Sequence, residues 1–316
     1  MTTVDSSALL VDGPWQHRFV TANGARFHVA VAGPDEREAP LLVLLHGLLG
    51  YWWSWRHQLP VLAEAGYRVA AMDLRGAGAS DKPPSGYDVP TLAADVSGVV
   101  RSLGADRAVV IGTGSGGDVA WAMPALAPDV VRGVVAVSSP RPAGPHGEIR
   151  SSFRPWALRH LAFVQLPAFP ERSLTQGDLA VRLLAEWGGV PGWPDPETAA
   201  AYVRGLQVPF AAHSQLEQLR WLVRSVPRAD GARLRARLER SPRVPVLQVH
   251  GAKDGLRAAS SAALAPAEAA RLTAGYRFEL LTAAGHFPAE QAPDAVNALV
   301  LDWLAELSAS GSPFAP

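Results

Sequence analysis

Cysteine is absent from this 316-residue chain, which excludes a disulfide framework, thiolate metal ligands and a thiol nucleophile together. Lysine is nearly absent too: only Lys82 and Lys253 occur, and basic and acidic residues balance at 29 each. A formal charge of zero offers no electrostatic basis for binding nucleic acid. Long apolar runs are missing. The strongest, Leu41 to Leu45, is broken by His46-Gly47 and falls far short of the roughly 20 residues a bilayer span needs. The opening segment carries Asp5 and Asp12 with no basic stretch ahead of an apolar one, so no signal peptide and a cytoplasmic location are expected. The nine histidines form no H-x-x-x-H or H-E-x-x-H pattern. Neither metal nor cofactor is therefore expected, nor a nucleic-acid or membrane partner.

With 48% apolar residues the chain can bury one large domain, or a domain with an insertion. Through residue 139, short β-branched runs alternate with helical spacing. A hairpin is expected around Ala22-Asn23-Gly24, a doubly buried strand at Leu41 to Leu45, and further strands at Tyr67 to Met72, Arg107 to Ile111 and Val130 to Val137. Parallel strands covered by crossover helices satisfy that alternation. Residues 140–242 change character: helical segments punctuated by Pro and Gly, with little strand pattern. They read as a helical cap inserted above the sheet edge where such folds bind ligands. His213, Glu217 and Arg220 fall there, and Glu217 with Arg220 reads as a surface charge pair. Strand and helix return over 243–307, and 308–316 reads as a frayed tail. The expected architecture is an α/β fold with a mostly parallel sheet: core 1–139 and 243–307, cap 140–242, flexible tail 308–316.

One stretch organises the rest. Ala108-Val109-Val110-Ile111-Gly112-Thr113-Gly114-Ser115-Gly116-Gly117-Asp118 passes from a β-branched block through small residues into a helical pattern. Small neighbours allow a sharp strand-to-helix turn whose apex residue takes strained dihedrals. Such a turn suits a nucleophile elbow or a phosphate cradle. A Walker motif needs Lys followed by Ser or Thr after its last glycine, and Asp118-Val119 stand there instead. A dinucleotide fingerprint needs an acid about 20 residues on, where the chain reads Val134-Val135-Ala136-Val137-Ser138-Ser139.

Taken together, His46-Gly47, Trp55-Arg56, Asp73 to Ser80, this elbow, Gly251-Ala252-Lys253-Asp254 and Gly285-His286-Phe287-Pro288 resemble the α/β-hydrolase superfamily, in particular its capped branch of epoxide hydrolases, haloalkane dehalogenases and esterases. The resemblance implies that His286 is the catalytic histidine and Asp254 the acid that orients it. It also implies that the Leu48 N–H is one oxyanion donor, and that Asp73 is scaffold. His250, at a strand end, reads as packed and hydrogen-bonded.

The nucleophile position departs from the family pattern. In the family register Gly114 occupies the apex, and glycine has no attacking atom. A register shifted by one residue puts Ser115 there, with Leu48 and Gly116 N–H groups as oxyanion donors. Three functions stay open: a serine esterase-type hydrolase acting through Ser115; a nucleophile-less member in which His286 and Asp254 activate water or abstract a proton; and a non-catalytic ligand-binding protein. Epoxide and haloalkane chemistry of the usual kind requires an aspartate at the elbow, and epoxide hydrolases also use cap tyrosines, of which 140–242 contains only Tyr202. Trp52, Trp53 and Tyr202 are expected to contact a medium-sized, mostly apolar small molecule. A monomer or homodimer is expected.

Overall fold

The five residues Leu41–Leu45 form a strand with every side chain buried, as a continuous apolar run in the middle of a sheet must. In the computed structural model, which describes residues 4–142 and 153–309, this strand (β3) lies within an eight-stranded sheet. The other strands are β1 (Gln16–Ala22), β2 (Ala25–Ala32), β4 (Arg68–Met72), β5 (Ala108–Thr113), β6 (Val131–Val137), β7 (Pro245–Gly251) and β8 (Gly275–Leu281). Their order is β1-β2-β4-β3-β5-β6-β7-β8. The β1–β2 hairpin turns at Asn23 and Gly24, both at positive φ (45° and 74°), the combination a two-residue turn between twisted strands demands. β2 meets β4 antiparallel, and every pairing from β4 to β8 is parallel.

Alternate residues of one strand serve two cores. Leu42 and Leu44 join Val109, Ile111, Trp55 and Leu59 on one side; Leu41, Val43 and Leu45 join Val110, Leu92 and Val96 on the other. A side chain fully buried in this way contributes about 1.5–3 kcal/mol over leaving it exposed. The helices covering the sheet are α1 (Gln58–Glu64), α2 (Val89–Ser102) and α3 (Ser115–Leu126). Helix α2 starts where Asp88 caps the Thr91 N–H.

Between β6 and β7 the described residues form only helices: α4 (Leu158–Phe163), α5 (Phe169–Gln176), α6 (Leu179–Gly188), α7 (Pro196–Leu206), α8 (Ala211–Arg224) and α9 (Ala229–Leu238), with one short 3-10 turn before α4. Leu183, Leu184, Trp187, Leu206 and Leu216 of this insertion belong to the same apolar cluster as the sheet side chains Leu42 and Ile111. Its backbone is also tied to loops after the strands: Arg154 N–H to Leu256 O at 2.9 Å and Gly255 N–H to Trp187 O at 2.9 Å. Arg220 is not a surface residue. Its guanidinium is buried, donating to Val164 O (2.7 Å), Leu166 O (2.8 Å), Glu171 (2.7 Å) and Glu217 (2.9 Å), because α8 crosses the loop that leads into α5. Helices α10 (Pro266–Leu272), α11 (Pro288–Gln291) and α12 (Pro293–Ala309) complete the chain. Ser308 and Ala309 continue α12 rather than starting a tail, Ser308 Oγ donating to Leu304 O at 2.9 Å; residues 310–316 lie outside the described residues, as do 143–152 of the expected cap. Among the described residues no helix is long and apolar enough to cross a membrane.

Asp73, just beyond β4, is the polar hub under this edge. It is fully buried and accepts from His28 Nδ1 (2.7 Å), Trp52 N–H (2.7 Å) and Ala79 N–H (2.9 Å). Burial pushes its carboxyl up, but His28, His46 and the hydrogen bonds outweigh this and hold it below the ordinary 3.8. A depressed carboxyl stabilises the fold above its unfolded pKa and loses that contribution as pH falls through the folded one. Asp73→Asn is therefore expected to lower stability near neutrality by about 1.5–3 kcal/mol, the scale of a buried hydrogen bond to a charged group, and to flatten the acid limb. Urea midpoints between pH 3 and 7, taken as about the range where carboxyls titrate, test both.

Candidate active site

Strand β5 keeps its ladder to β6 through Thr113, paired with Val137, and α3 begins at Ser115. Only Gly114 lies between, at φ 52° and ψ −119°, a backbone conformation that costs an L residue about 1–3 kcal/mol. Its N–H donates to Val137 O (2.9 Å) and its carbonyl accepts from Asp118 N–H (3.1 Å). The apex is thus Gly114. An ideal Cβ on Gly114 would stand 3.3 Å from His286 Nε2 and 3.7 Å from Gly47 Cα: a side chain there would begin against the imidazole.

Ser115 is the first residue of the helix and not the apex, since Thr113 is still held in the sheet and Gly114 alone has the turn dihedrals. Its hydroxyl is buried with no hydrogen-bond partner among the described residues. Gly116 loses its expected role with it: when Gly114 is the apex, the following N–H belongs to Ser115. Gly116 instead permits close approach, for a Cβ there would begin 2.4 Å from His46 O.

Asp254 follows β7 by three residues and is fully buried. Its Oδ1 accepts from the Leu256 and Arg257 N–H groups (2.8 and 2.7 Å), and its Oδ2 pairs with His286 Nδ1 at 2.9 Å. Burial raises its pKa, but His286, His250 and those hydrogen bonds prevail and keep it below 3.8. A carboxylate on Nδ1 fixes the proton there and leaves Nε2 as the basic atom. His286 is held further by the insertion: its N–H reaches Trp187 O at 3.2 Å, and its ring lies edge-on to Trp187, centroids 6.0 Å apart at 77°. Nothing in the sequence singles out Trp187 for this, because the contact uses a backbone carbonyl. His250 is packed as expected but not hydrogen-bonded. Neither ring nitrogen makes a hydrogen bond among the described residues; Nε2 lies at ion-pair distance, 3.4 Å, from Asp254 Oδ2, and burial lowers the His250 pKa.

Among the described residues no acceptor is found for the Leu48 and Ser115 N–H groups. Ser115 directly follows the apex, and Gly47, which precedes Leu48, has its Cα 3.7 Å from where a Cβ on Gly114 would begin; a developing oxyanion needs two such free donors. The loop carrying Leu48 is braced by His46, whose Nε2 accepts from Leu74 N–H (3.0 Å) while Nδ1 donates to Gly47 O (2.9 Å). Burial lowers the pKa of His46, in keeping with a neutral ring that accepts on one nitrogen and donates on the other. From α8, Gln215 reaches the same loop: Oε1 accepts from Leu49 N–H at 2.7 Å and Nε2 donates to Gly50 O at 3.3 Å. A contact across 166 positions leaves no local sequence signal.

The expected substrate aromatics are employed elsewhere. Trp52 is turned to the N-terminal segment, donating from Nε1 to Leu9 O (3.0 Å) and packing edge-on to Trp15. Trp53 is buried beneath the Arg56 guanidinium, 3.4 Å above its ring. Tyr202 donates to Glu290 Oε1 at 2.9 Å, and Arg56 pairs with the other oxygen of Glu290 at 2.6 Å. Burial pushes the Tyr202 hydroxyl well above its ordinary pKa, so it remains a protonated donor committed to Glu290. A groove of about 1210 Å³ on the insertion, lined by Leu166, Glu171, Phe210, His213 and Arg220 among others, includes none of the expected site residues.

A family profile described as "alpha/beta hydrolase fold" matches residues 40–293. "Epoxide hydrolase B" of Mycobacterium tuberculosis is 44% identical over 146 residues, covering 43% of this chain and 41% of that protein; the chain thus spans under half the length of that relative. "Epoxide hydrolase 3" of Xenopus tropicalis is 30% identical over 302 residues, covering 92% of this chain and 78% of its own length. Among solved structures, epoxide hydrolase A from Mycobacterium thermoresistibile superposes with a TM-score of 0.74 at 28% identity, over 92% of this chain and 98% of that one.

Proposed function

This chain belongs to the alpha/beta hydrolase fold family, and from that premise we propose that it hydrolyses a medium-sized, mostly apolar ester by letting His286, oriented by Asp254, activate water directly. One observation carries the reading: His286 Nε2 stands 3.3 Å from where the side chain of residue 114 would begin, and residue 114 is glycine. The space a nucleophile would fill is left to water or to the substrate itself. His286 Nε2 takes a proton from water as its oxygen bonds to the carbonyl carbon, and the Leu48 and Ser115 N–H groups meet the charge on the carbonyl oxygen. As the carbon–oxygen bond to the leaving alkoxide breaks, the imidazolium returns the proton to it. Asp254 stabilises the imidazolium in between. On this reading the described part of residues 140–242 acts as the cap over the described parts of 1–139 and 243–307. The chemistry draws on no cofactor.

A second reading, epoxide opening by the same activated water, is favoured by the names of the relatives. The one tyrosine of residues 140–242, Tyr202, is not free to protonate the opening oxygen, since its hydroxyl is directed to Glu290. Turnover of p-nitrophenyl esters and of styrene oxide in ¹⁸O-labelled water distinguishes the readings. The expected result is ester hydrolysis with label entering the product acid in the first turnover and no covalent change in protein mass. Epoxide turnover alone supports the second reading; no turnover of either compound removes both.

A further inference from the structure

We propose that Gln215 is a positioning residue through which helix α8 holds the oxyanion loop in working shape, so that the loop is competent only while the insertion is seated on the core. Its functional meaning rests on the hydrolase reading above; the contact itself does not. Leu49 is a non-glycine residue at φ 71°, a conformation that persists only when its surroundings hold it. Inside the loop the holds among the described residues are the turn bond from Gly50 N–H to Gly47 O at 3.2 Å and His46 Nδ1 to Gly47 O at 2.9 Å, and neither bonds Leu49 itself. From outside, Gln215 supplies two more, accepting from Leu49 N–H and donating to Gly50 O, so one side-chain amide closes on both faces of the strained residue. Gln215 is only 4% exposed, and water does not replace these bonds while α8 is in place.

The neighbouring residue shows that α8 is seated and not merely close. Ser214 Oγ donates to the Tyr87 hydroxyl at 2.8 Å, and the helix lies so near the loop after β4 that a Cβ on Gly76 would begin 2.4 Å from Ser214 Cβ. Further along α8, Arg220 binds the Val164 and Leu166 carbonyls, which makes the helix part of the insertion's own frame. Lifting the insertion therefore withdraws Gln215 from Leu49, one residue from the Leu48 N–H to which the proposed function gives the developing charge. Relaxation of Leu49 to negative φ would turn that donor away.

Two substitutions separate the bonds. Gln215→Met keeps the volume and loses both; Gln215→Glu keeps an acceptor for Leu49 N–H and loses the donor to Gly50 O. Amide hydrogen exchange on the full chain is expected to be about tenfold faster at Leu49 in Gln215→Met, the effect of one lost hydrogen bond, and near wild type there in Gln215→Glu, with helix α8 protected as before in both. For whichever of p-nitrophenyl acetate or styrene oxide the wild type hydrolyses, Gln215→Met is expected to lower kcat about tenfold with KM nearly unchanged, since only transition-state stabilisation is lost. Unchanged exchange at Leu49, or protection lost evenly across α8 and the loop, overturns the proposal. If the wild type hydrolyses neither compound the hydrolase reading falls, and the exchange comparison still decides the clamp.

Discussion

Replacing His286 by alanine is expected to lower kcat/KM for ester hydrolysis by about 10²–10⁴, the range for a positioned general base. The size follows from geometry. His286 is the base whose Nε2 faces the apex, 3.3 Å from the site of a Cβ on Gly114, and no side chain at residue 114 can attack in its stead. Asp254→Asn should act on the same step, because an amide in place of Oδ2 no longer dictates which nitrogen of His286 carries the proton. The two are distinguished by stability. Asp254 is held below its ordinary 3.8 by His286, His250 and hydrogen bonds that outweigh its burial, so its contribution is complete above that pH and lost as pH falls through the lower folded value. Asp254→Asn should thus destabilise the protein at neutral pH and blunt its acid unfolding, whereas His286→Ala leaves both backbone hydrogen bonds to Asp254 in place. Steady-state rates beside urea melts at two pH values check this. Full activity in His286→Ala would sink every catalytic reading.

Gly114→Ser should change the kind of mechanism. A hydroxyl grown from that apex lies beside His286 Nε2 with the Leu48 and Ser115 N–H groups nearby, the constellation for acyl transfer to the protein. Mixing it with p-nitrophenyl acetate should give one acetyl adduct in intact-mass spectra, on residue 114, where the wild type gives none. The double variant Gly114→Ser with His286→Ala should fail to form it. Strain accompanies the gain: a side chain at φ 52° costs about 1–3 kcal/mol, and at 3.3 Å the imidazole must give by a few tenths of an ångström. A lower melting temperature with a new covalent adduct is the expected pair of results. An adduct on Ser115 in the wild type would instead restore the serine mechanism and remove direct water activation.

Local patterns were enough for the scaffold because strand alternation, doubly buried runs and turn residues are local consequences of side-chain chemistry. The run Leu41 to Leu45, the Asn23-Gly24 turn and the helical content of 153–238 needed no partner to be read. His286 and Asp254 were legible through the resemblance to the α/β-hydrolase superfamily, with which their place shortly after expected strands agrees, since strands of a parallel sheet end along one edge. The register of the elbow was not. Gly112 to Gly117 contains so many small residues that two apices satisfy the same pattern, and pairing of Thr113 with Val137 on β6 selects between them.

Composition and order therefore determined an α/β chain with a helical insertion, free of thiol chemistry, and the family resemblance of its motifs added a carboxylate and an imidazole after successive strands. Only tertiary structure decided that the apex is bare, that Trp52 and Tyr202 turn to Leu9 and Glu290, that Arg220 is interior, and that Gln215 reaches across to Leu49. The physical reason is range. Periodicity records which face of an element is buried, whereas the partner of a buried polar group is chosen by whatever distant backbone the fold brings within about 3 Å.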